Sequence, residues 1–147
     1  MQNPQPSTGA PPAISAETDV RRAIHEGVER RRPRAESFSV LCVVPQVIHE
    51  PVAAAETEVA TSTIARELRS ADQFCLLDDA SYILLLADTD DAYALVVAQR
   101  LAAALTLRMA ALLGRKWHVG VARYPHDART EAALIDFARM SALDTAA

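Results

Sequence analysis

Cysteine and aromatic residues are scarce in this 147-residue chain, and its apolar runs are short. Its two cysteines, Cys42 and Cys75, each lie within an apolar segment, where a free thiol behaves as a small hydrophobic side chain. There is no CxxC pair and no cluster of Cys and His, which argues against a structural zinc site. Nothing resembles the apolar core of a signal peptide, and the apolar runs fall short of a membrane span. We therefore expect a cytoplasmic chain with no membrane insertion.

The rest of the composition is that of one ordinary globular domain. Half of the residues are hydrophobic and 23% are charged. Residues 1–36 hold six Arg against five acids, a net charge of +1, whereas residues 37–147 hold nine Lys or Arg against fourteen acids, a net charge of −5; the sum is the −4 of the whole chain. A domain of that sign repels polyanions, so we expect no nucleic-acid partner, while small anions remain possible.

The chain divides into three parts. Residues 1–16 are rich in Pro, Gln, Ser and Gly, which predicts a disordered lead-in. Residues 17–36 predict a helix, with Val20, Ile24 and Val28 on one face, and then a linker at Pro33. Residues 37–147 predict the folded domain.

Hydrophobic periodicity assigns the elements of that domain. The β-branched run at 38–44 predicts a strand buried on both faces. A helix over 53–68 has Ala55, Val59, Ile64 and Leu68 as its expected inward stripe. The order continues with strands 73–77 and 81–87 around a tight turn, a helix from Thr89-Asp90-Asp91 to a stop at Gly114, a strand at 117–125 and a helix at 131–143.

This order predicts the fold class. The elements 38–125 follow the sequence βαββαβ, preceded by one helix and followed by another. We therefore expect an α/β (α+β) domain whose core has the ferredoxin-like split arrangement, in which the two helices of the core cover one face of the sheet.

The segment from Leu68 to Ala94 resembles the centre of GGDEF domains, the diguanylate cyclase family. In that family an RxxD motif stands five residues before the GGDEF signature. Here Arg69-Ser70-Ala71-Asp72 matches the RxxD, and Asp78-Asp79-Ala80-Ser81-Tyr82 occupies the place of the signature. The strand WHVGVARYP at 117–125 also resembles the family's SIGVA-x-YP strand, and the resemblance extends over about residues 20–143. It implies the GGDEF fold, in which a leading helix and a final helix flank the βαββαβ core.

The departures from the family pattern concern catalysis. The family's reaction on GTP needs two divalent ions, held by a carboxylate at the end of the first strand and by the acid of the signature. Here the first strand ends Val43-Val44-Pro45-Gln46, and the signature's glycines and acid become Asp78, Asp79, Ala80 and Ser81. The resemblance therefore implies a degenerate, catalytically dead domain with no metal or other cofactor.

The RxxD is the part of the pattern that survives, and in the family it is the inhibitory site for cyclic di-GMP. An Arg guanidinium matches the O6 and N7 acceptors of guanine, and a carboxylate accepts from the N1 and N2 donors on its other edge. We therefore predict that Arg69 and Asp72 bind a guanine of cyclic di-GMP, with Arg66, one turn earlier, assisting at a second guanine or a phosphate. The domain would then signal to an unidentified protein partner.

Alternatives stay open at this point. Fourteen Arg and ten Asp in 147 residues lead us to expect about one RxxD by chance, so the motif's weight rests on its register alone. Arg69 and Asp72 are also compatible with a solvated ion pair. The domain would then be a ligand-independent interaction module and a possible homodimer. Weaker candidates are His118, expected as a sheet residue, and the loop pairs His49-Glu50 and His126-Asp127, which lack a third metal ligand.

Overall fold

The predicted order of helices and strands is confirmed. A computed structural model describes residues 10–31, 37–87, 90–112 and 115–146. The predictions for residues 1–9, for the linker at 32–36, and for Thr89 and Gly114 concern residues outside these ranges. The elements are α1 (Glu17–Arg31), β1 (Phe38–Pro45), α2 (Ala54–Glu67), β2 (Gln73–Leu76), β3 (Tyr82–Leu86), α3 (Asp91–Met109, continued by a 3₁₀ turn, Ala110–Leu112), β4 (Trp117–Tyr124) and α4 (Glu131–Ala146).

The four strands form one antiparallel sheet in the order β2-β3-β1-β4. This is the ferredoxin-like split arrangement, because each βαβ connection leaves one strand between the two that it joins. Strand β1 lies inside the sheet, where Leu41 pairs with Leu84 of β3 and with Val121 of β4. All eight residues of β1 are buried, as the uninterrupted apolar run predicts.

Helices cover both faces of the sheet: the two helices of the βαββαβ core lie on one face, as expected, and the two outer helices lie on the other. Helices α2 and α3 pack on the face that carries Leu41, Val43 and Tyr82. Helices α1 and α4 pack on the opposite face, which carries Val40 and Cys42. The prediction took only the βαββαβ core into account, whereas β1 is apolar on both sides and needs the two outer helices as a second cover.

The inward stripe of α2 differs in part from the prediction. Ile64 and Leu68 are buried as expected, but Ala55 is exposed and Val59 is only partly buried. Ala60 and, unexpectedly, the acid Glu56 are buried in their place. A buried carboxylate needs a partner, and the partner of Glu56 belongs to the site described below.

Both edges of the sheet are partly paired with other parts of the chain. At the β2 edge, the backbone N–H of Ser15 donates to the Phe74 carbonyl at 2.9 Å, so this end of the lead-in is paired rather than free. At the β4 edge, the N–H of Val121 donates to Ser141 Oγ at 3.3 Å, and that of Arg123 to Asp127 Oδ2 at 2.9 Å. These bonds occupy part of each edge and so disfavour the addition of a foreign strand.

Gly120 explains how closely α4 approaches that edge. A Cβ atom at this position would lie 2.1 Å from the Ala138 carbonyl oxygen and 2.2 Å from the Ala142 nitrogen. Only glycine therefore lets the backbone of α4 rest directly on β4.

Helix α3 is unusually apolar. Residues 92–112 are long and apolar enough to cross a membrane by length and composition alone. Ala94, Leu101 and Leu105 on its inner side are fully buried against the sheet, which is also typical of a core helix. On its outer side, Leu95, Val96 and Leu107 are exposed.

Candidate functional site

The structure brings Arg69 and Asp72 together at the end of α2. The helix ends at Glu67, and Leu68 is extended, with φ −100° and ψ 152°. A turn follows in which the Asp72 N–H donates to the Arg69 carbonyl at 2.9 Å. The Asp72 carboxylate in return accepts from the backbone N–H of Arg69 at 2.8 Å and from its guanidinium Nη2 at 3.3 Å. The RxxD is therefore a compact, locally paired turn.

Asp72 is engaged inside the protein. Its side chain is only 2% exposed, and its Oδ1 also accepts from the backbone N–H of Ala87 at 3.1 Å. Ala87 directly follows β3, so the carboxylate connects the end of α2 to the end of a central strand. A buried carboxylate with three donor groups is a strong structural link, because water cannot replace the bonds it makes. A guanine could reach these oxygens only if the turn opened.

The arginines of this region face solvent more than Asp72 does. The Arg69 side chain is 43% exposed, and its Nη2 donates to the Ala87 carbonyl at 2.6 Å. Its guanidinium carbon lies 5.0 Å from the ring centroid of Tyr93 on α3, which is within cation–π distance. Arg66, on the last turn of α2, is exposed. The accessible side chains near the RxxD thus include two guanidinium cations and an aromatic ring.

The segment in the place of the GGDEF signature forms the turn between β2 and β3. Ala80 has a φ of 70°. Asp79 Oδ1 accepts from the N–H of Ser81 at 3.1 Å and from its hydroxyl, and Asp79 Oδ2 accepts from Arg139 of α4 at 3.0 Å. Burial raises the pKa of Asp79, but the Ser81 and Arg139 hydrogen bonds outweigh it, so the pKa is lowered from its usual value. Asp79 is thereby committed to the turn and to α4.

Tyr82, the last residue of that segment, belongs to the core. It is fully buried, with ring centroids of Phe74 and Trp117 at 6.3 and 6.4 Å. Its hydroxyl bonds Thr61 Oγ1 at 2.7 Å and donates to the Thr57 carbonyl at 3.3 Å, which ties β3 to α2. Burial raises its pKa.

A cleft of about 390 Å³ lies between this turn and the loop that follows β1. Its lining includes three acids, Glu50, Asp78 and Asp79, and among the described residues that line it one base, Arg115. A second cleft of about 390 Å³ adjoins it and shares Ile48, Glu50, Pro51 and Arg115 with it. Both clefts are therefore acidic unless the positive charge of Arg115 is available to balance their acids.

Arg115 is not free, because it forms a buried ion pair with Glu56. Its Nε lies 3.0 Å from Glu56 Oε2, its Nη2 donates to Oε1 at 3.2 Å, and the two side chains are less than a tenth exposed. Arg115 also donates to the Pro51 carbonyl at 2.9 Å, and Glu56 accepts from the Ala53 N–H at 3.0 Å. Burial raises the pKa of Glu56, but the hydrogen bonds from Arg115 and Ala53 outweigh it and the pKa is lowered.

The residues of this corner do not fit a pair of divalent cations. β1 ends at Pro45, followed by Gln46, neither of which has a carboxylate, and the hairpin presents Ser81 and an already paired Asp79. Within the described ranges, no three side chains of His, Cys, Asp or Glu are grouped to hold a metal. His118 lies half-buried on β4, and Asp127 pairs with Arg123 at 3.0 Å.

Sequence reasoning missed Glu56, Arg115 and Tyr93. Glu56 occupies the third position of a helix, where an acid is ordinary, and Arg115 follows a predicted helix stop. Glu56 and Arg115 are 59 residues apart in the sequence, so the local sequence pattern does not indicate that they form a pair. Tyr93 sits in the first turn of α3, and only the packing of α3 beside α2 brings it to Arg69.

No protein-family model and no curated protein matches the chain. Among solved structures, the GGDEF domain of PA1120 (YfiN or TpbB) from Pseudomonas aeruginosa is 21% identical, with a TM-score of 0.71 over 90% of this chain and 90% of that one. A sensory box/GGDEF family protein from Caulobacter crescentus is 19% identical, with a TM-score of 0.70 over 90% and 93%. The diguanylate cyclase SiaD from P. aeruginosa, solved with its activator SiaC, is 17% identical, with a TM-score of 0.69 over 90% and 55%. At these identities the likeness concerns the fold, and the fold of this chain is that of the GGDEF domains.

Proposed function

We propose that this chain is a catalytically silent GGDEF-fold domain that acts by binding rather than by turnover. The observation that carries the proposal is the Asp79, Ser81 and Arg139 cluster, which fills the turn where a cyclase needs a free acid. Asp79 would have to give up its bonds to Ser81 and Arg139 to bind a metal. The cytoplasm, where both free cysteines would stay reduced, is the proposed location.

Charge in the neighbouring cleft supports the same conclusion. A nucleoside triphosphate carries several negative charges and would meet Glu50 and Asp78 at the rim. Arg115 offers no compensation, because Glu56 neutralises it and its donors already have acceptors. Like charges in a cleft with low-dielectric walls repel more strongly than in water.

Incubation with GTP and Mg²⁺ or Mn²⁺, followed by chromatography of the nucleotides, tests the proposal. We expect no cyclic di-GMP and no pyrophosphate above a protein-free blank. The Asp79→Ala and Ser81→Ala variants are matched controls, since a product formed equally by all three proteins comes from a contaminating cyclase. Product made by the wild type and lost in these variants would contradict the proposal.

Cyclic di-GMP is a second candidate, as a ligand, and the exposure of Arg66 and Arg69 beside Tyr93 favours it. Guanidinium groups and aromatic rings both stack on purines, and two cations suit a ligand with two phosphodiester charges. Asp72 would contribute by holding Arg69 in place, because its own oxygens already have donors. The ligand would then change how the domain meets a protein partner.

Titration calorimetry with cyclic di-GMP tests this second candidate. If it is correct, Arg69→Ala and Arg66→Ala weaken binding at least tenfold, whereas Arg129→Ala, an exposed arginine in the loop before α4, leaves it unchanged. Absence of heat at high micromolar ligand would leave the alternative, a ligand-independent interaction domain. SiaD, solved with its activator SiaC, is a precedent for protein contacts made by a protein that contains this fold.

A further inference from the structure

The carboxylate that could select a guanine at the RxxD is used inside the protein. The Asp72 side chain is 2% exposed, and its oxygens accept from the backbone N–H groups of Arg69 and Ala87 and from the Arg69 guanidinium. Guanine differs from adenine in the donors of its N1 and N2, and these donors need an exposed acceptor. Asp72 does not present one to solvent while the turn is closed.

The guanidinium of Arg69 is engaged in the same way. Its Nη2 donates to Asp72 Oδ1 at 3.3 Å and to the Ala87 carbonyl at 2.6 Å, and its Nε donates to Asp72 Oδ2 at 3.5 Å. An arginine contacts two acceptors at once with Nη2 and one of its other two nitrogens. Arg69 would therefore have to give up bonds within the protein before it could contact O6 and N7 of a guanine together.

The surface that this turn does offer is flat and positively charged. The Arg69 side chain is 43% exposed, and its guanidinium carbon lies 5.0 Å from the centroid of the Tyr93 ring. Tyr93 is held in the first turn of α3, where its backbone N–H donates to Asp90 Oδ1 at 2.8 Å. Aromatic rings and guanidinium planes stack on any base, because every base has a π-face. Arg66, exposed on the last turn of α2, adds a second cation that suits a phosphate.

We propose that this surface binds purine dinucleotides with two phosphodiester groups and does not distinguish guanine from adenine. Stacking on Arg69 and Tyr93 and the charges of Arg66 and Arg69 hold the ligand, and neither contribution depends on which purine is present. Asp72 is a positioning residue, since it fixes the backbone and the guanidinium of Arg69. The inference rests on the ligand-binding role proposed above and widens its ligand from cyclic di-GMP to a class of dinucleotides.

Titration calorimetry with cyclic di-GMP and with its adenine counterpart, cyclic di-AMP, tests the inference at one fixed salt concentration. The two ligands have the same backbone and the same charge and differ only in the base. We expect dissociation constants that differ by less than about fivefold, because a single bidentate base contact would separate them by about 5- to 150-fold. A larger preference for cyclic di-GMP would mean that the turn opens to recognise guanine; a larger preference for either ligand would overturn the inference and leave the ligand-binding role standing.

Substitution of Asp72 separates positioning from recognition. Asp72→Asn keeps an acceptor oxygen at this position and is expected to weaken both dinucleotides alike, so the ratio of their dissociation constants stays as in the wild type. A carboxylate that recognised guanine would instead lose affinity for cyclic di-GMP alone, and that result would contradict the inference. Circular dichroism melts verify the fold of the variant; if it does not fold, the wild-type ratio decides.

Substitution of Tyr93 tests the stacking contact. Tyr93→Leu is expected to weaken both dinucleotides at least fivefold, because stacking of a base on an aromatic ring contributes about 5- to 150-fold to affinity. Tyr93→Phe, the matched control, keeps the ring and should bind both ligands as the wild type does. Unchanged binding by a folded Tyr93→Leu variant would overturn the stacking contact.

Sodium pyrophosphate, which has the charges but no base, separates stacking from charge. At equal concentration it should not displace cyclic di-AMP; displacement would mean that the surface binds anions in general and would overturn the inference. An absence of heat with both dinucleotides would overturn the inference together with the ligand-binding role, and would leave a silent domain that acts without a nucleotide.

Discussion

Two buried acids, Asp72 and Glu56, form the same kind of link at two distant corners of the domain. Each accepts from a backbone N–H that starts or ends an element, and each pairs with an arginine. They differ in that arginine: Arg115 is almost fully buried, whereas Arg69 is 43% exposed. A motif can therefore contain a structural half, the acid, and an accessible half, the base. Only the accessible half is exposed to a ligand.

The largest expected effect is the loss of the buried pair. Glu56→Ala should lower the free energy of unfolding by about 3–5 kcal/mol, because it leaves the Arg115 guanidinium buried without a counter-charge. Urea denaturation measures the loss. Glu58→Ala, an exposed acid on the same helix, is the control and should change stability by less than about 0.5 kcal/mol. Equal effects of the two substitutions would mean that the Glu56 pair has no structural role.

Substitutions at the two ends of the RxxD should lower the free energy of unfolding by different amounts. Asp72→Ala should cost about 2–3 kcal/mol, because the N–H groups of Arg69 and Ala87 lose a buried acceptor. Arg69→Ala should cost about 1 kcal/mol or less, since its side chain is 43% exposed. Urea midpoints of both variants measure the difference. A larger loss for Arg69→Ala than for Asp72→Ala would reverse the assignment of structural and accessible halves.

The elements of the fold could be predicted because each depends on local pattern. The apolar run of β1, the turn at Asp78–Ala80 and the capped start of α3 all carry signals within a few residues. The two-sided cover of the sheet and the paired Ser15 were missed, because they depend on where distant segments come to rest.

The two residues of the RxxD could be predicted from the sequence, but the burial of Asp72 could not. Register placed Arg69 next to Asp72, and the structure brings them together. That Asp72 is buried depends on Ala87, at the end of a strand fifteen residues later, so spacing within the motif carries no information about it. Glu56 and Arg115 have no motif at all and are joined only by the tertiary fold.

Lowering the pH should destabilise the protein through the loss of the Glu56–Arg115 ion pair. The pKa of Glu56 is lowered below its usual 4.5, so the folded state binds fewer protons than the unfolded state and the pair contributes its full stability above that pH. This contribution is lost as the pH falls below about 4.5 and through the folded-state pKa. Urea midpoints between pH 6 and 3 measure the loss. Glu56→Gln, which cannot titrate, should show a shallower decline; an identical decline would assign the acid sensitivity to other groups.

The smallest loss of stability is expected at the hairpin turn, although the ion pair between Asp79 and Arg139 joins this turn to α4. Arg139→Ala should cost only about 0.5–1 kcal/mol, because Asp79 is more than half exposed and Ser81 still holds the turn from within. A double-mutant cycle with Asp79→Ala measures the coupling, which should stay below about 1 kcal/mol. A coupling above about 2 kcal/mol would mean that the turn depends on α4 for its shape. The hairpin would then resemble the Glu56 corner, and a free acid could be recovered there only by unfolding the contact with α4.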